Sequence, residues 1–263
     1  MKKKWTALLL TGAMALSLTA CGGQTTTTSS GSSGETGSGD ATYTVGICQL
    51  APHDALDAAT QGFKDALTEA LGDQVAFKEG NAGGEANNCT TIIDGFLSEG
   101  VDLILANATA SLTAAASATA DIPILGTAIT NYGVALNLDS TEDKVLGGNI
   151  SGTSDLAPLD QQAQLLQEMF PDAENVGLLY CSAEPNSVFQ VDTIQGYLED
   201  MGYTCTQYAF TDVNDLSSVA QTACDGSDVI YIPTDNTAAA NTETIANVVI
   251  PAGVPVVAGE SGI

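Results

Sequence analysis

The sequence predicts an α/β protein of two lobes, each a doubly wound parallel sheet, with the C-terminal part of the second lobe truncated. Three observations predict it. From Tyr43 onward, short apolar runs of strand length alternate with segments of helical periodicity, the pattern of βαβ units. The runs VDLILAN (101–107) and DVIYI (228–232) are almost continuously apolar, as parallel strands covered on both faces are. Three landmarks also recur in order. VGIC at Val45 matches VGLLYC at Val176, DLIL at Asp102 matches DVIYI at Asp228, and IPIL at Ile122 matches VPVV at Val254, at offsets of 131, 126 and 132 residues.

In chain order, Tyr43–Leu50 reads as the first strand. Asp54 to Leu71 carries Leu56, Ala59, Phe63, Ala66, Leu67 and Leu71 at helical spacing, and Gly72 stops it. Gln74–Glu79 is the next strand. Glu85–Glu99 is a helix with Cys89, Ile92, Ile93, Phe96 and Leu97 on one face, ended by Gly100. The strand Val101–Asn107, an Ala-rich helix and the strand Ile122–Gly126 complete the first set. Val134–Leu138 reads as a further strand, and a helix is expected from Leu156 to Phe170. The second set is strand Val176–Cys181, helix Asn186–Met201, strand Tyr203–Phe210, helix Val213–Cys224, strand Asp228–Ile232, a helix through Ile245–Val249 and strand Val254–Val257. The passage between lobes is placed near Gly152–Asp155. The lobes are then 43–153 and 154–263, and the second lacks a closing helix and a return crossing.

The N-terminus reads as an address. MKKKWTALLLTGAMALSLTAC has three lysines, an apolar stretch and a Leu-x-Ala-Cys ending that resembles the bacterial lipobox. That implies a signal peptide over 1–20 and lipid attachment at Cys21, anchoring the chain to the extracytoplasmic face of the cell membrane. Residues 21–42 are Gly/Ser/Thr-rich and too poor in apolar side chains to offset ordering entropy, so they read as a flexible tether. Beyond the leader, Lys64, Lys78 and Lys144 stand against 32 acids, a balance of −29, and the chain has no arginine. Such a charge repels nucleic acid and anionic membrane, leaving the lipid as the sole membrane contact. The lone histidine, His53, and the absence of metal-ligand spacing argue against a metal site, a cofactor or imidazole-based catalysis. Cys48, Cys89, Cys181, Cys205 and Cys224 show no CxxC and read as buried free thiols, with a Cys181–Cys205 bridge across adjacent strands as the alternative.

Open α/β sheets hold ligands at the C-terminal ends of their strands. In the first lobe those ends carry Gln49 and His53, then Asn107 and Thr109–Ser111. In the second they carry Glu184, Asn186 and Ser187, then Thr234, Asp235 and Asn236. Ser154 and Asp155 lie near the crossover. Without a guanidinium, an anionic group must be held by hydroxyls, backbone N–H groups and helix N-termini, and helices starting at Ser111 and Ser187 supply the last of these. A zwitterion fits this inventory. Its carboxylate suits Thr109, Ser111 and Ser187, and its ammonium suits Asp235 with Gln49 or Asn186 completing the shell. Ordinary structure accounts for the same residues as N-caps (Ser111, Ser187), a helix start (Asp235) or turn chemistry (Asn107). Phe189 and Tyr132 are stacking candidates or core.

VGICQLAPHDALDAATQGF, VDLILANATAS, ISGTSDLAPLDQQ, LLYCSAEPNSVFQ and VIYIPTDNT resemble the ABC-transporter substrate-binding lipoproteins of the tryptophan/tyrosine-binding type, in order across residues 43–263. The resemblance implies a type I periplasmic-binding-protein fold, a small-molecule ligand in the cleft (an aromatic amino acid), and hand-over to a permease with its ATPase. Where the family reads His-Pro after the first strand, this chain reads His53-Asp54. The alternative on the same fold is a sensor or receptor ectodomain for a sugar, nucleoside or peptide. No nucleophile–base pair supports an enzyme.

Overall fold

The computed structural model describes residues 42–138 and 146–263. The expected signal peptide, Cys21 and the tether up to Ala41 lie outside the described residues. Among the described residues no helix is long and apolar enough to cross a membrane.

Two parallel sheets carry the chain. The first contains β1 (Tyr43–Gln49), β2 (Val75–Asn81), β3 (Leu103–Asn107), β4 (Ile124–Ile129) and β5 (Ile150–Ser154), ordered β2-β1-β3-β4-β5. The second contains β6 (Asn175–Cys181), β7 (Thr204–Phe210), β8 (Val229–Ile232) and β9 (Val256–Ala258), ordered β7-β6-β8-β9. The orders are the same once β6 is matched to β1, which is the repeat seen in the landmark offsets. In each sheet the order reverses at its founding strand, β1 or β6, and the crevice at that reversal is where a doubly wound sheet receives a ligand.

The helices divide between the sheet faces as the two-residue period of the strands requires. Val45, Ile47 and Leu105 point to one face, with Phe63 and Leu67 of α1 (Asp54–Leu71) packed there. Cys48, Ile104 and Ala106 point to the other, under α2 (Ala86–Glu99) and α3 (Thr109–Ala118) through Cys89, Ile93, Leu112 and Ala115. In the second sheet, Leu178 and Tyr231 meet α5 (Leu159–Met169) and α6 (Pro185–Asp200). Leu179 and Ile230 meet α7 (Val213–Gly226) and α9 (Thr242–Ala252). A short α8 (Asn236–Ala239) follows β8.

Three expectations change, and one alternative falls. Val134–Leu138 is not a strand: Tyr132–Leu136 forms the short helix α4, because Asn131 caps Val134 N–H at 3.1 Å and Asn137 ends the turn in the left-handed region. Gly152–Ser154, expected as crossover, belongs to the polar edge strand β5, so the chain leaves the first sheet only after Ser154. The following helix starts at Leu159 rather than Leu156, since Pro158 disfavours a helical residue before it. All five cysteines in the described residues are free. The Cys181–Cys205 alternative fails on register: Cys205 pairs with Val176 and Cys181 with Phe210, five residues along the same ladder.

Gly152 makes the closest backbone approach in the first sheet. It adopts φ +155, and a Cβ there would overlap the Gly126 carbonyl oxygen and the Tyr132 hydroxyl. Tyr132 Oη donates to both Gly126 O (3.1 Å) and Thr153 O (3.2 Å), tying β4 to β5. Gly152→Ala should therefore destabilise the first lobe by about 1–3 kcal/mol, as overpacking does, read as a lower thermal midpoint with an unchanged second-lobe transition.

Candidate functional site

The loops at the two reversal points face one another. Leu50–His53 and Ala108 follow β1 and β3; Ser182–Glu184 and Pro233–Asp235 follow β6 and β8. A cavity of about 510 Å³ lies between them, bounded by Leu50, Pro52 and Ala110 from the first lobe and Glu184, Asn186 and Thr237 from the second. The first turns of α2, α6 and α7 also line it, at Asn87, Pro185 and Asn214. That brings the N-terminal ends of three helices to one space, α7 already capped by Asp212 and α6 opening on Pro185. The volume suits a small molecule.

On the second-lobe wall two acids exchange partners. Asp235, in the loop after β8, accepts Cys181 N–H at the end of β6 (2.7 Å) and caps α8 through Ala238 N–H (2.8 Å). Glu184, in the loop after β6, accepts the backbone N–H groups of Asn236 (3.2 Å) and Thr237 (2.8 Å) at the start of α8. It also accepts Asn236 Nδ2 (2.7 Å), Thr237 Oγ1 (2.7 Å) and Asn186 Nδ2 (3.1 Å). Gln190 closes the network, donating to Thr234 O at 3.0 Å. Burial, then the neighbouring charge of Glu184, pushes the Asp235 carboxyl up to about 7, against the Cys181 and Ala238 N–H groups and the Ser187 hydroxyl, which hold it down.

This geometry reassigns several expected ligand groups. Asp235 is wholly buried, with both oxygens held inside its own lobe, so its carboxylate braces the site and does not meet an ammonium in this arrangement. Ser187 is buried and serves Asp235; Ser111 is buried beside Cys89 (3.5 Å). Neither is an N-cap, because α3 and α6 begin two residues earlier, at Thr109 and Pro185. Gln49 is consumed within the first lobe: it donates to Ala51 O (2.8 Å) and Asp57 Oδ1 (2.6 Å) and accepts from Thr60 (2.6 Å). Ser154 donates to Thr130 O at 3.0 Å and fixes the exit of β5. Asn186 lines the cavity, Thr109 opens α3 beside it, and Asp155 stays exposed where the chain leaves β5. Asn236 reaches across to the other lobe, where its Oδ1 lies 3.2 Å from His53 Nε2.

Two residues outside the expected set matter. Glu184 was visible as a polar strand end, but only the fold shows its five donors. Glu260 lies two residues past the end of β9, a strand-end position of the kind that marked the other candidates. Burial raises the Glu260 carboxyl above its usual range. The nearby His53 ring opposes this, and the charges of Asp155 and Glu184 add to it. Ala108 supports Thr109 at a cost. Its φ of 87 and ψ of 160 lie in a region that non-glycine residues avoid, at about 1–3 kcal/mol.

The chain matches, over residues 44–263, the model of the family described as ABC transporter substrate binding protein. It belongs to that family. A tyrosine-binding protein of Clostridioides difficile (strain R20291) is 32% identical over 264 residues, covering 99% of this chain and 76% of the relative. The structure of an ABC domain from Streptococcus pneumonia in complex with L-Trp superposes with a TM-score of 0.80 at 31% identity, covering 84% of this chain and 75% of that one. The ligand-free, open structure of a substrate binding protein with adhesive properties from Clostridium difficile gives 0.57 at 34% identity, with the same coverages. The fold is that of type I periplasmic binding proteins. As a member of the family the chain is a solute-binding component of an ABC transporter and not an enzyme. It acts on the extracytoplasmic side with a small-molecule ligand and a permease as partners.

The buried Asp235 predicts a pH dependence of this ABC transporter substrate-binding protein. Its folded pKa of about 7 lies above the ordinary 3.8, so its contribution to stability is complete below the ordinary value and is lost as pH rises through 7. Wild type should lose stability to denaturant from pH 4 to pH 8 by more than Asp235→Asn does. The difference is on the order of a few kcal/mol. Parallel curves for the two proteins would show that Asp235 titrates normally.

Proposed function

We propose that this chain captures a free amino acid, aromatic by preference, between its two lobes and presents it to its permease while held at the membrane by a lipid on Cys21. The observation that carries the amino-acid reading is the electrostatic imbalance of the inter-lobe site. Glu260 lies in the negative field of Asp155 and Glu184, the neighbouring cavity is lined by the acids Glu85, Glu184 and Asp212, and among the described residues no lysine lines it. A carboxylate cluster without a counter-charge favours a ligand that brings one. An ammonium fits that need. The positive ends of α2 and α6 favour the carboxylate of the same molecule, in a chain without arginine.

In this arrangement the ammonium partners are Glu260 and Asp155. Glu184 and Asp235 hold the loops behind them, and Asn186, Thr109 and Asn236 complete the polar wall. The aromatic preference rests on the relatives, one a tyrosine-binding protein and one solved with L-Trp. Lobe placement adds support. The two relatives solved with and without ligand are similarly close in sequence, yet the chain superposes at 0.80 on the first and 0.57 on the open form. The lobes therefore stand in a closed arrangement.

Calorimetry on the purified chain tests the reading. L-tryptophan or L-tyrosine should bind, and indole-3-propionate, which lacks the ammonium, should not bind measurably. Glu260→Gln should weaken binding by about 2–5 kcal/mol, the cost of breaking a desolvated charge pair. Because the Glu260 carboxyl is raised, affinity should also fall on acidification at a higher pH than for an ordinary glutamate, since the protonated acid cannot pair with the ammonium. Equal affinity for the propionate would remove the ammonium from the account.

A further inference from the structure

We propose that His53 is a positioning residue for ligand capture, a latch that holds the first lobe to the second through Asn236. The proposal rests on the reading that the lobes close around a ligand. His53 is the only histidine of the chain and stands at the N-cap of α1 in an extended conformation, with no side-chain bond to its own helix. The ring is thereby free to point away from α1. Its Nε2 lies 3.2 Å from Asn236 Oδ1. Among the described residues this is the side-chain hydrogen bond that joins the two lobes; α4 also packs on α6.

The direction of the bond follows from the partner's partner. Asn236 Nδ2 donates at 2.7 Å to Glu184 Oε2, a carboxylate that can only accept. That sets the amide with its oxygen toward His53, so Nε2 must carry the proton and Nδ1 must be the bare nitrogen. Nδ1 is buried and has no partner among the described residues, as an unprotonated acceptor without a donor would be. Glu184 also holds the N-terminus of α8 and the Asn186 amide, and both Glu184 and Asn186 line the cavity. On the other side, Leu50, Ala51 and Pro52, the residues just before His53, line it too. The latch thus sits at the edge of the binding space and engages the group that organises the far wall. With the lobes apart, Nε2–H and Oδ1 are both hydrated; closing exchanges those waters for one direct bond, a modest net gain. A gain of that size tilts the open–closed equilibrium without locking it, which suits a protein that must release its cargo.

Two measurements on the untagged chain decide this. The first is affinity for L-tryptophan in a double-mutant cycle. His53→Ala and Asn236→Ala should each weaken binding about fivefold, the double variant no more than either alone, and His53→Gln, which keeps an N–H donor at similar reach, should recover most of the loss. Unchanged affinities, or single effects that multiply, would overturn the latch. The second is small-angle X-ray scattering of the ligand-free chain, which does not depend on which molecule binds. His53→Ala should expand the particle relative to wild type and His53→Gln should not; identical curves for wild type and His53→Ala would overturn it. If wild type binds neither L-tryptophan nor L-tyrosine, the amino-acid reading falls, and scattering alone decides for or against the latch.

Discussion

Asp235 and Glu184 each reach into the other's loop. The acid that follows β8 holds the last N–H of β6, and the acid that follows β6 holds the first N–H groups after β8. Both strands end at the reversal point of the second sheet, where the connections part to opposite faces and backbone groups would otherwise be left unpaired. The exchange satisfies those groups and fixes the two loops to each other. Asn186, Asn236 and Thr237 take their positions from it, and through Asn236 so does the contact with His53.

The same arrangement has an electrostatic consequence. Two buried carboxylates close together favour a proton on one of them, and the shift falls on Asp235 because it is the more deeply enclosed. Toward solvent, Glu260 and Asp155 extend the negative field to the inter-lobe space. The described lysines Lys64 and Lys78 are committed elsewhere, to Glu79 and Glu99 on the first lobe's outer sheet edge. A site built this way is structurally complete and carries an excess of acid, the imbalance on which the amino-acid proposal rests.

The sequence showed the repeat plainly because it is carried by buried strands. Val45, Asp102 and Ile122 recur as Val176, Asp228 and Val254, and the matching strands take the same order in both sheets. What it concealed were elements whose residues do not face a core. β5 is a polar edge strand with Ile150 as its one large apolar residue, and α4 is a five-residue turn defined by two asparagine caps. Neither has enough period to register. The site was legible as a set of places and not as roles. Asp235, Ser187, Ser111 and Gln49 do stand at strand ends, but which way a short polar side chain turns is decided by donors distant in sequence. Cys181 N–H lies 54 residues before Asp235, and Thr60 lies 11 after Gln49.

By itself the sequence determined the two-lobe parallel architecture, the lack of any guanidinium to hold an anion and the presence of one imidazole, since hydrophobic period and residue inventory are properties of the chain. Only the tertiary structure decided which carboxylates brace and which face the cleft. It alone brought Glu260 to the site, and it turned the His53 ring toward Asn236, a partner 183 residues away on the other lobe. The physical reason is that burial and hydrogen-bond partnership are set by the meeting of loops from separate βα units, and the meeting is encoded in no one of those loops.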